Sequence, residues 1–219
     1  MSSIVLELQA EAMSHSGSVL SLLRMTTVVS TKLGIKEVRE WVRLEMQGYP
    51  NYSVPDYRQF TGHLKALNPF HGWQPVAFQD EKGLEYKKKL TSISIGNAVS
   101  EVEAWLSSEG SFIQLPVPQE LACVLGIDVA LSRFVAKAAL NVIPDRIRGF
   151  ILDWSLELEQ KGILGEGMTF TAKEKAQAPS VVMNNYFTKY LNTGQAGAMG
   201  DSAVAKSLTQ RLSEFFKGE

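Results

Sequence analysis

The chain has 219 residues, of which 45% are hydrophobic and 21% are charged. That composition excludes a disordered chain and leaves room for one sizeable domain, alone or with a small appendix. The formal net charge of −1 excludes a strongly basic surface that would bind nucleic acid or anionic lipid through bulk charge, although it does not exclude local patches. The single cysteine, Cys123, excludes a disulfide within the chain and is predicted to be a core residue.

The N-terminal residues are not predicted to form a targeting segment. The opening stretch MSSIVLELQAE is acidic and lacks the apolar centre of a secretory signal. No apolar run approaches the roughly 18 residues that a membrane span requires. The sequence therefore predicts a cytoplasmic protein without a membrane partner.

Three helices are predicted before residue 50. Residues 2–13 form a short amphipathic helix that begins at a serine cap. The second helix begins at Ser18 and ends at Gly34, where a left-handed residue is usually needed. The third runs from about 35 to 47, and Gly48 stops it. Because one or two residues join the last two helices, they are predicted to fold back on each other as an antiparallel hairpin.

Two side chains of the third helix stand out. Trp41 lies on the apolar face and is predicted to be a core residue. Glu45 falls on or beside the same face, where a carboxylate needs a partner. Either Arg24 or Arg58 can supply that partner in a structural salt bridge; the alternative is a catalytic carboxylate. Arg58 has Asp56 and Glu45 as its nearest acidic candidates, and such a pair is expected to pin the hairpin to the first strand.

A series of short motifs runs through this part of the chain: L-L-R, K-L-G, E-W-V-x-L-E-x-x-G-Y and P-D-Y-R, at 22–24, 32–34, 40–49 and 55–58. Together they resemble the AbiTii family of bacterial abortive-infection proteins. A second stretch, 151–171, resembles the same family, and the glycine-centred loop at 68–75 is a weaker match. The resemblance implies phage defence. It implies no established active site, so no catalytic residue is carried over.

After residue 57 the apolar pattern changes from the helical period to alternation. Strands are predicted at 57–67 with a break at Gly62, at 76–78, 90–95, 111–115 and 129–136, and helices after a cap at Asn97, from Pro118 and over 141–161. The fold class is therefore α+β: an N-terminal helical hairpin packed with a small, mostly antiparallel sheet, and a long helix in the C-terminal half.

The composition changes again near residue 172. Residues 1–172 are predicted to form the AbiTii-like domain and 173–180 a linker. Residues 181–219 are predicted to form a short β-rich segment and a terminal helix. Alternating apolar residues and turn residues over 181–205 favour strands that are completed by other copies of the chain, which predicts a homo-oligomer. The alternative is an unstructured tail.

One spacing has a catalytic precedent. Arg58 and His63 share the R-x4-H spacing of helical ribonuclease toxins, in which His moves a proton while Arg holds the scissile phosphate. Gly62 interrupts the segment, and its period is closer to two than to 3.6. A structural Arg58 is therefore favoured, and the catalytic pair remains the alternative.

Other groupings are weaker. There is no phosphate loop, dinucleotide-binding glycine triplet, zinc spacing or nucleophile elbow in the sequence. One candidate is a nuclease-like set of Asp80, Glu85 and Lys87, and another is a metal set of His63, His71 and Asp56. The others are an acidic pair on a helix, Asp153 and Glu157, and a glycine repeat at Gly194, Gly197 and Gly200. Each is better explained by solvated charge or by turns.

The sequence thus favours a non-enzymatic module of bacterial phage defence that senses or scaffolds and assembles with itself. A phage-derived or defence-system protein is the expected partner, nucleic acid is left open, and no cofactor or metal is predicted. The alternative is an RNA-cleaving toxin that uses Arg58 and His63.

Overall fold

The computed structural model describes residues 3–14, 17–50, 53–78, 81–117 and 129–180, with the backbone alone described for 81–85 and 180. Within these ranges the helices are α1 (Ile4–Met13), α2 (Val19–Leu33), α3 (Lys36–Gln47), α4 (Glu81–Thr91), α5 (Val99–Ser107), α6 (Lys137–Leu140), α7 (Val142–Gln160) and α8 (Ala172–Gln177). The strands are β1 (Gln59–Thr61), β2 (His63–Asn68), β3 (Gly72–Pro75), β4 (Ser92–Ser94), β5 (Phe112–Pro116) and β6 (Leu131–Ala136). The predicted α+β class is confirmed.

The N-terminal helices begin and end where the sequence predicts. The side chain of Ser3 accepts a hydrogen bond from the backbone of the first turn of α1, and Ser18 caps α2 in the same way. Gly34 ends α2 with a φ of 75°, and the chain turns directly into α3. The antiparallel hairpin of α2 and α3 is confirmed, since the two helices pack against each other along their length.

The main core lies between these helices and the long helix α7. α1 packs on α7, and α2 contacts both. Its fully buried side chains include Leu8, Leu22, Leu23, Ile143, Ile147, Ile151, Trp154 and Leu158. Those of α7 recur every three or four residues, as expected for one buried face. The prediction of a single helix over 141–161 is correct for α7, but it misses the short helix α6 that precedes it.

Two antiparallel sheets cover one side of the helices. The larger has the strand order β3-β2-β6-β5, and the smaller pairs β1 with β4. The predicted break at Gly62 separates β1 from β2. β1 belongs to the smaller sheet and β2 to the larger one. A Cβ atom at Gly62 would lie 2.6 Å from Ile93 Cδ1 and 3.2 Å from Arg133 Cβ, so a side chain there would have to displace the end of Ile93.

Several predictions about the middle of the chain are wrong. Residues 76–78 are not a strand, because the strand lies earlier, at β3, where Trp73 pairs with Leu67 across the turn. The strand predicted at 90–95 is limited to β4, since α4 continues to Thr91. Asn97 does not cap α5: Ala98 occupies that position, and the Asn97 side chain donates to Glu101 instead.

The stretch 173–180, which composition predicts to be a linker, contains helix α8. Thr171 and Glu174 form a reciprocal capping box at its start, and Ala178 is buried in the main core. The boundaries of the predicted units stay predictions. The β-rich segment at 181–219, the helix from Pro118 and the core position of Cys123 lie outside the described residues. None of the helices that the structure describes is long and apolar enough to cross a bilayer.

Candidate functional site

Glu45 is fully buried although it is charged. It lies on the inward face of α3, one helical turn after Trp41. Such a carboxylate destabilises a protein unless it is paired and hydrogen-bonded. Here its partner is Arg58, at the end of the 3-10 turn Asp56–Arg58, and neither side chain has any solvent exposure.

The guanidinium of Arg58 joins three parts of the chain. Its Nε lies 3.3 Å from Glu45 Oε1 and 3.2 Å from Glu45 Oε2, and its Nη2 also donates to Oε2. Its Nη1 donates to the backbone carbonyls of Ile95, at 3.0 Å, and Asn97, at 2.8 Å. The predicted structural salt bridge is thus confirmed, with Glu45 as the partner. The other candidates, Arg24 and Asp56, are exposed.

Two tyrosines complete the environment of the Glu45 carboxylate. Tyr57 donates its hydroxyl hydrogen to Oε1 at 2.6 Å, and Tyr49 donates to the same oxygen. Trp41 Nε1 in turn donates to the Tyr57 hydroxyl at 3.1 Å. The Arg58 guanidinium also lies 5.1 Å from the centre of the Tyr49 ring, within cation–π range. We refer to Trp41, Glu45, Tyr49, Tyr57 and Arg58 as the buried network.

Burial and charge shift the titration of these groups. Burial, reinforced by the neighbouring Glu45 carboxylate, raises the pKa of Tyr49 and of Tyr57 well above the ordinary tyrosine value. Burial is the largest influence on the pKa of Arg58 and would lower it, but the charge of Glu45, its hydrogen bonds and the two tyrosines together outweigh burial, and the pKa of Arg58 is raised. The tyrosines therefore stay neutral and the arginine stays charged at physiological pH.

Gly48 brings Tyr49 into position. Its φ is 90°, and a Cβ atom there would lie only 2.7 Å from the carbonyl oxygen of Gly96. The next amide, that of Tyr49, donates to the same carbonyl at 2.7 Å. A glycine is therefore required at 48, both for the backbone conformation and for this close approach.

The buried network holds structural elements together and leaves no part of the Arg58 side chain open to solvent. Arg58 has no exposed surface on which a phosphate could bind, and its donors are taken up by a carboxylate and two carbonyls. His63, the other half of the R-x4-H spacing, is exposed at the start of β2. The residues between them form β1 and not a helix, so the helical surface of the ribonuclease toxins is absent from this segment.

The other candidate sites are not assembled in the part of the chain that the structure describes. No three His, Cys, Asp or Glu side chains there come close enough to hold a metal ion. The predicted set of His63, His71 and Asp56 is therefore not brought together. Lys87 is exposed on α4, whereas Asp80 and the Glu85 side chain lie outside the described residues. The same is true of Gly194, Gly197 and Gly200. Asp153 is exposed and Glu157 is half-buried on α7.

The second stretch with family resemblance, 151–171, also serves the fold. Leu164 accepts a hydrogen bond from the Ser3 side chain at 2.6 Å, which ties the start of α1 to the end of α7. The carboxylate of Glu174 accepts from the backbone amides of Leu164, at 3.0 Å, and Gly165, at 2.9 Å. Both matched stretches thus connect helices to the loops that follow them.

Comparison with known proteins identifies one family for this chain. The model of the AbiTii family matches residues 3–183, which is most of the chain. The chain belongs to the AbiTii family. AbiTii is an abortive-infection family, so this member belongs to phage defence. No curated protein and no solved structure matches the chain significantly.

Sequence reasoning missed part of the network in this AbiTii protein. The hydroxyls of Tyr49 and Tyr57 were not assigned to Glu45, although both had a signal. Tyr49 follows Glu45 by four residues, and Tyr57 precedes Arg58 directly. Two tyrosines beside the ends of a predicted buried ion pair are suitable donors for the remaining lone pairs of the carboxylate.

Proposed function

We propose that this AbiTii protein acts in phage defence as a non-enzymatic module that senses or scaffolds and that assembles with itself. The observation that carries the proposal is the complete burial of Glu45 and Arg58. Glu45 belongs to the family motif at 40–49 and Arg58 to the family motif at 55–58. A catalytic pair has to meet its substrate, whereas this pair meets only protein atoms.

The stretches that resemble the family support the same reading. The first orders the junction of α3, the 3-10 turn and the loop before α5. The second orders the loop between α7 and α8. Residues used in this way specify a rigid body. A rigid body is suited to recognition or to holding partners together.

Self-assembly is proposed from the sequence of 181–205. Short alternating segments there have no partner of matching length within the segment, and open strand edges favour pairing between copies. Small residues, among them Ala196, Gly197 and Ala198, permit close approach. A closed oligomer would satisfy every edge at once.

A plaque assay tests the non-enzymatic role. Bacteria that carry the gene with its neighbouring genes are challenged with a panel of phages, and the wild type is compared with His63→Ala. Because His63 is exposed, its substitution leaves the fold intact, and protection is expected to be unchanged. Loss of protection, together with degradation of total RNA by the purified wild type and not by His63→Ala, would instead establish the RNA-cleaving toxin.

A further inference from the structure

The larger sheet has two unlike faces. Residues directly opposite each other in an antiparallel ladder point to the same side. On the inner side lie the buried residues Leu64, Leu131 and Val135. The other side, which we call the outer sheet face, carries His63 and Lys65 from β2, Trp73 from β3, Phe112 and Gln114 from β5, and Phe134 from β6.

The aromatic rings on the outer sheet face surround one cation. The rings of Trp73 and Phe134 meet edge to face with centroids 5.5 Å apart. The Nζ of Lys65 lies 4.6 Å from the centroid of Phe134 and 6.0 Å from that of Phe112. Phe112 is 50% exposed, and Trp73 and Phe134 are half-buried. Part of each of these three aromatic side chains is therefore exposed to solvent close to a lysine.

The outer sheet face carries one positive charge, that of Lys65, beside the side chain of His63. β2, β3, β5 and β6 contain no Asp or Glu, and Arg133, opposite Leu64, lies on the inner side. Exposed aromatic rings that alternate with a cation, without a carboxylate to repel phosphate, are complementary to single-stranded nucleic acid. A protein partner is less well matched, because lysine is depleted at the centre of protein–protein interfaces.

We propose that the outer sheet face binds single-stranded nucleic acid. Bases stack on Phe112 and on the Trp73–Phe134 pair, and Lys65 contacts the phosphate between them. The exposed Gln114 presents its amide group to the base edges. Because the whole chain has a formal net charge of −1, stacking supplies most of the affinity, and the salt dependence of binding is shallow.

The test is a fluorescence anisotropy titration of the full chain with a labelled 12-nucleotide single strand of mixed sequence, as DNA and as RNA. Phe112→Ala is expected to weaken binding about tenfold, since it removes one stacking surface. Lys65→Gln is expected to flatten the slope of log K against log salt by about 0.7, the value for one phosphate contact on a single strand. Leu156→Ala and Lys36→Gln, on exposed helix surfaces, are the matched controls and leave binding unchanged.

Three outcomes overturn the proposal. The wild type gives no anisotropy change up to about 100 μM, the weak end of non-specific binding. Phe112→Ala and Leu156→Ala bind equally well, which places any binding elsewhere. Phe112→Ala converts an oligomer to a monomer without a change in affinity for the strand, which makes the face an interface between copies. These measurements use purified protein and report binding alone. A failure of the proposed non-enzymatic role would appear in the plaque assay and would leave the binding result unchanged.

Discussion

Arg58 and Glu45 meet as an ion pair from which solvent is completely excluded, at the junction of α3 with the first strand. Removing both charges from water costs free energy, and their mutual attraction offsets that cost only with good geometry and further hydrogen bonds. The hydroxyl groups of Tyr49 and Tyr57 and the carbonyls of Ile95 and Asn97 supply those bonds. The pair is therefore tolerated as part of a network and not as an isolated bridge.

Breaking this pair from one side should be costly. Arg58→Ala is expected to lower the free energy of unfolding by about 3–5 kcal/mol, because it leaves Glu45 buried and unpaired. Urea denaturation followed by circular dichroism measures the change. Arg24→Ala, at an exposed arginine on α2, is the matched control and should leave the midpoint unchanged. A variant at 58 that is fully stable yet fails to protect against phage would favour a catalytic Arg58 over the structural one.

Trp41 makes separable contributions to the network. Its ring packs edge to face on Phe150, with centroids 6.2 Å apart, and its Nε1 donates to Tyr57. Trp41→Ala should cost about 3–5 kcal/mol of unfolding free energy through the cavity it leaves. Trp41→Phe keeps an aromatic ring but removes the hydrogen bond, and the loss from that bond is about 1 kcal/mol. Thermal melts of the two variants should rank in that order, and equal melting temperatures would contradict it.

The buried tyrosines predict an alkaline limit to stability. Because the folded-state pKa of Tyr49 and of Tyr57 is raised, the folded chain holds these protons at a pH where the unfolded chain releases them. Stability is therefore fully present below the ordinary tyrosine pKa of about 10 and falls as the pH rises above it. Urea midpoints measured from about pH 9 to about pH 11 give the decrease of stability per pH unit, which we call the alkaline slope.

The contribution of one tyrosine follows from a matched pair of variants. Tyr49→Phe should reduce the alkaline slope, and it should also lower stability at neutral pH because Glu45 loses a donor. Tyr86→Phe, at a half-buried tyrosine on α4 outside the buried network, is the control. An equal alkaline slope for the wild type and Tyr49→Phe would show that this hydroxyl does not govern the transition.

The hairpin and the ion pair were predictable because their signals are local. The apolar stripes of α2 and α3, the stop at Gly48 and the charge on the inward face of α3 all fall within 30 residues. A carboxylate at that position needs a cation, and Arg58 follows by 13 residues. The outer sheet face has no such signal. His63 pairs with Phe134 across 70 residues, and no local pattern encodes a pairing of that kind.

Two further features were not predictable from sequence for different reasons. α4 is hard to predict because Gly83 lies near its start and disfavours a helix, whereas the run of lysines that follows gives no apolar pattern. Lys137 is buried although it is charged, because its Nζ donates to Ser108 Oγ at 2.7 Å and to the carbonyl of Glu109 at 3.1 Å. These acceptors lie at the C-terminal end of α5, where the helix dipole favours a cation. The tertiary fold brings the Lys137 ammonium to the C-terminal end of α5, so local sequence does not predict this contact.

Glu174 distinguishes a docked helix from a linker. Burial alone would raise the pKa of Glu174, but hydrogen bonds from the amides of Gly165, Thr171 and Leu164 lower it. Its contribution to stability is therefore present above the ordinary glutamate pKa of about 4.3 and is lost as the pH falls through the folded value. Glu174→Gln should speed hydrogen exchange at the amide of Gly165, with Lys173→Gln as the control. Equal exchange rates in the two variants would support a linker.

The last prediction concerns self-association through 181–205. A short strand with unpaired amide and carbonyl groups is unstable unless another strand meets it, and this segment offers alternating apolar residues without an internal partner of matching length. Light scattering on the full chain should therefore show an oligomer, and a chain that ends at Pro179 should be monomeric. Met183→Asp in the full chain should weaken assembly, because it places a charge among the predicted apolar positions, whereas Asn185→Asp, at a position where the sequence predicts a turn, is the control. If the full chain and the shortened chain are both monomers at micromolar concentrations, the segment does not drive assembly. If both are oligomers, the contact lies in the body of the domain, and the outer sheet face is the first surface to test.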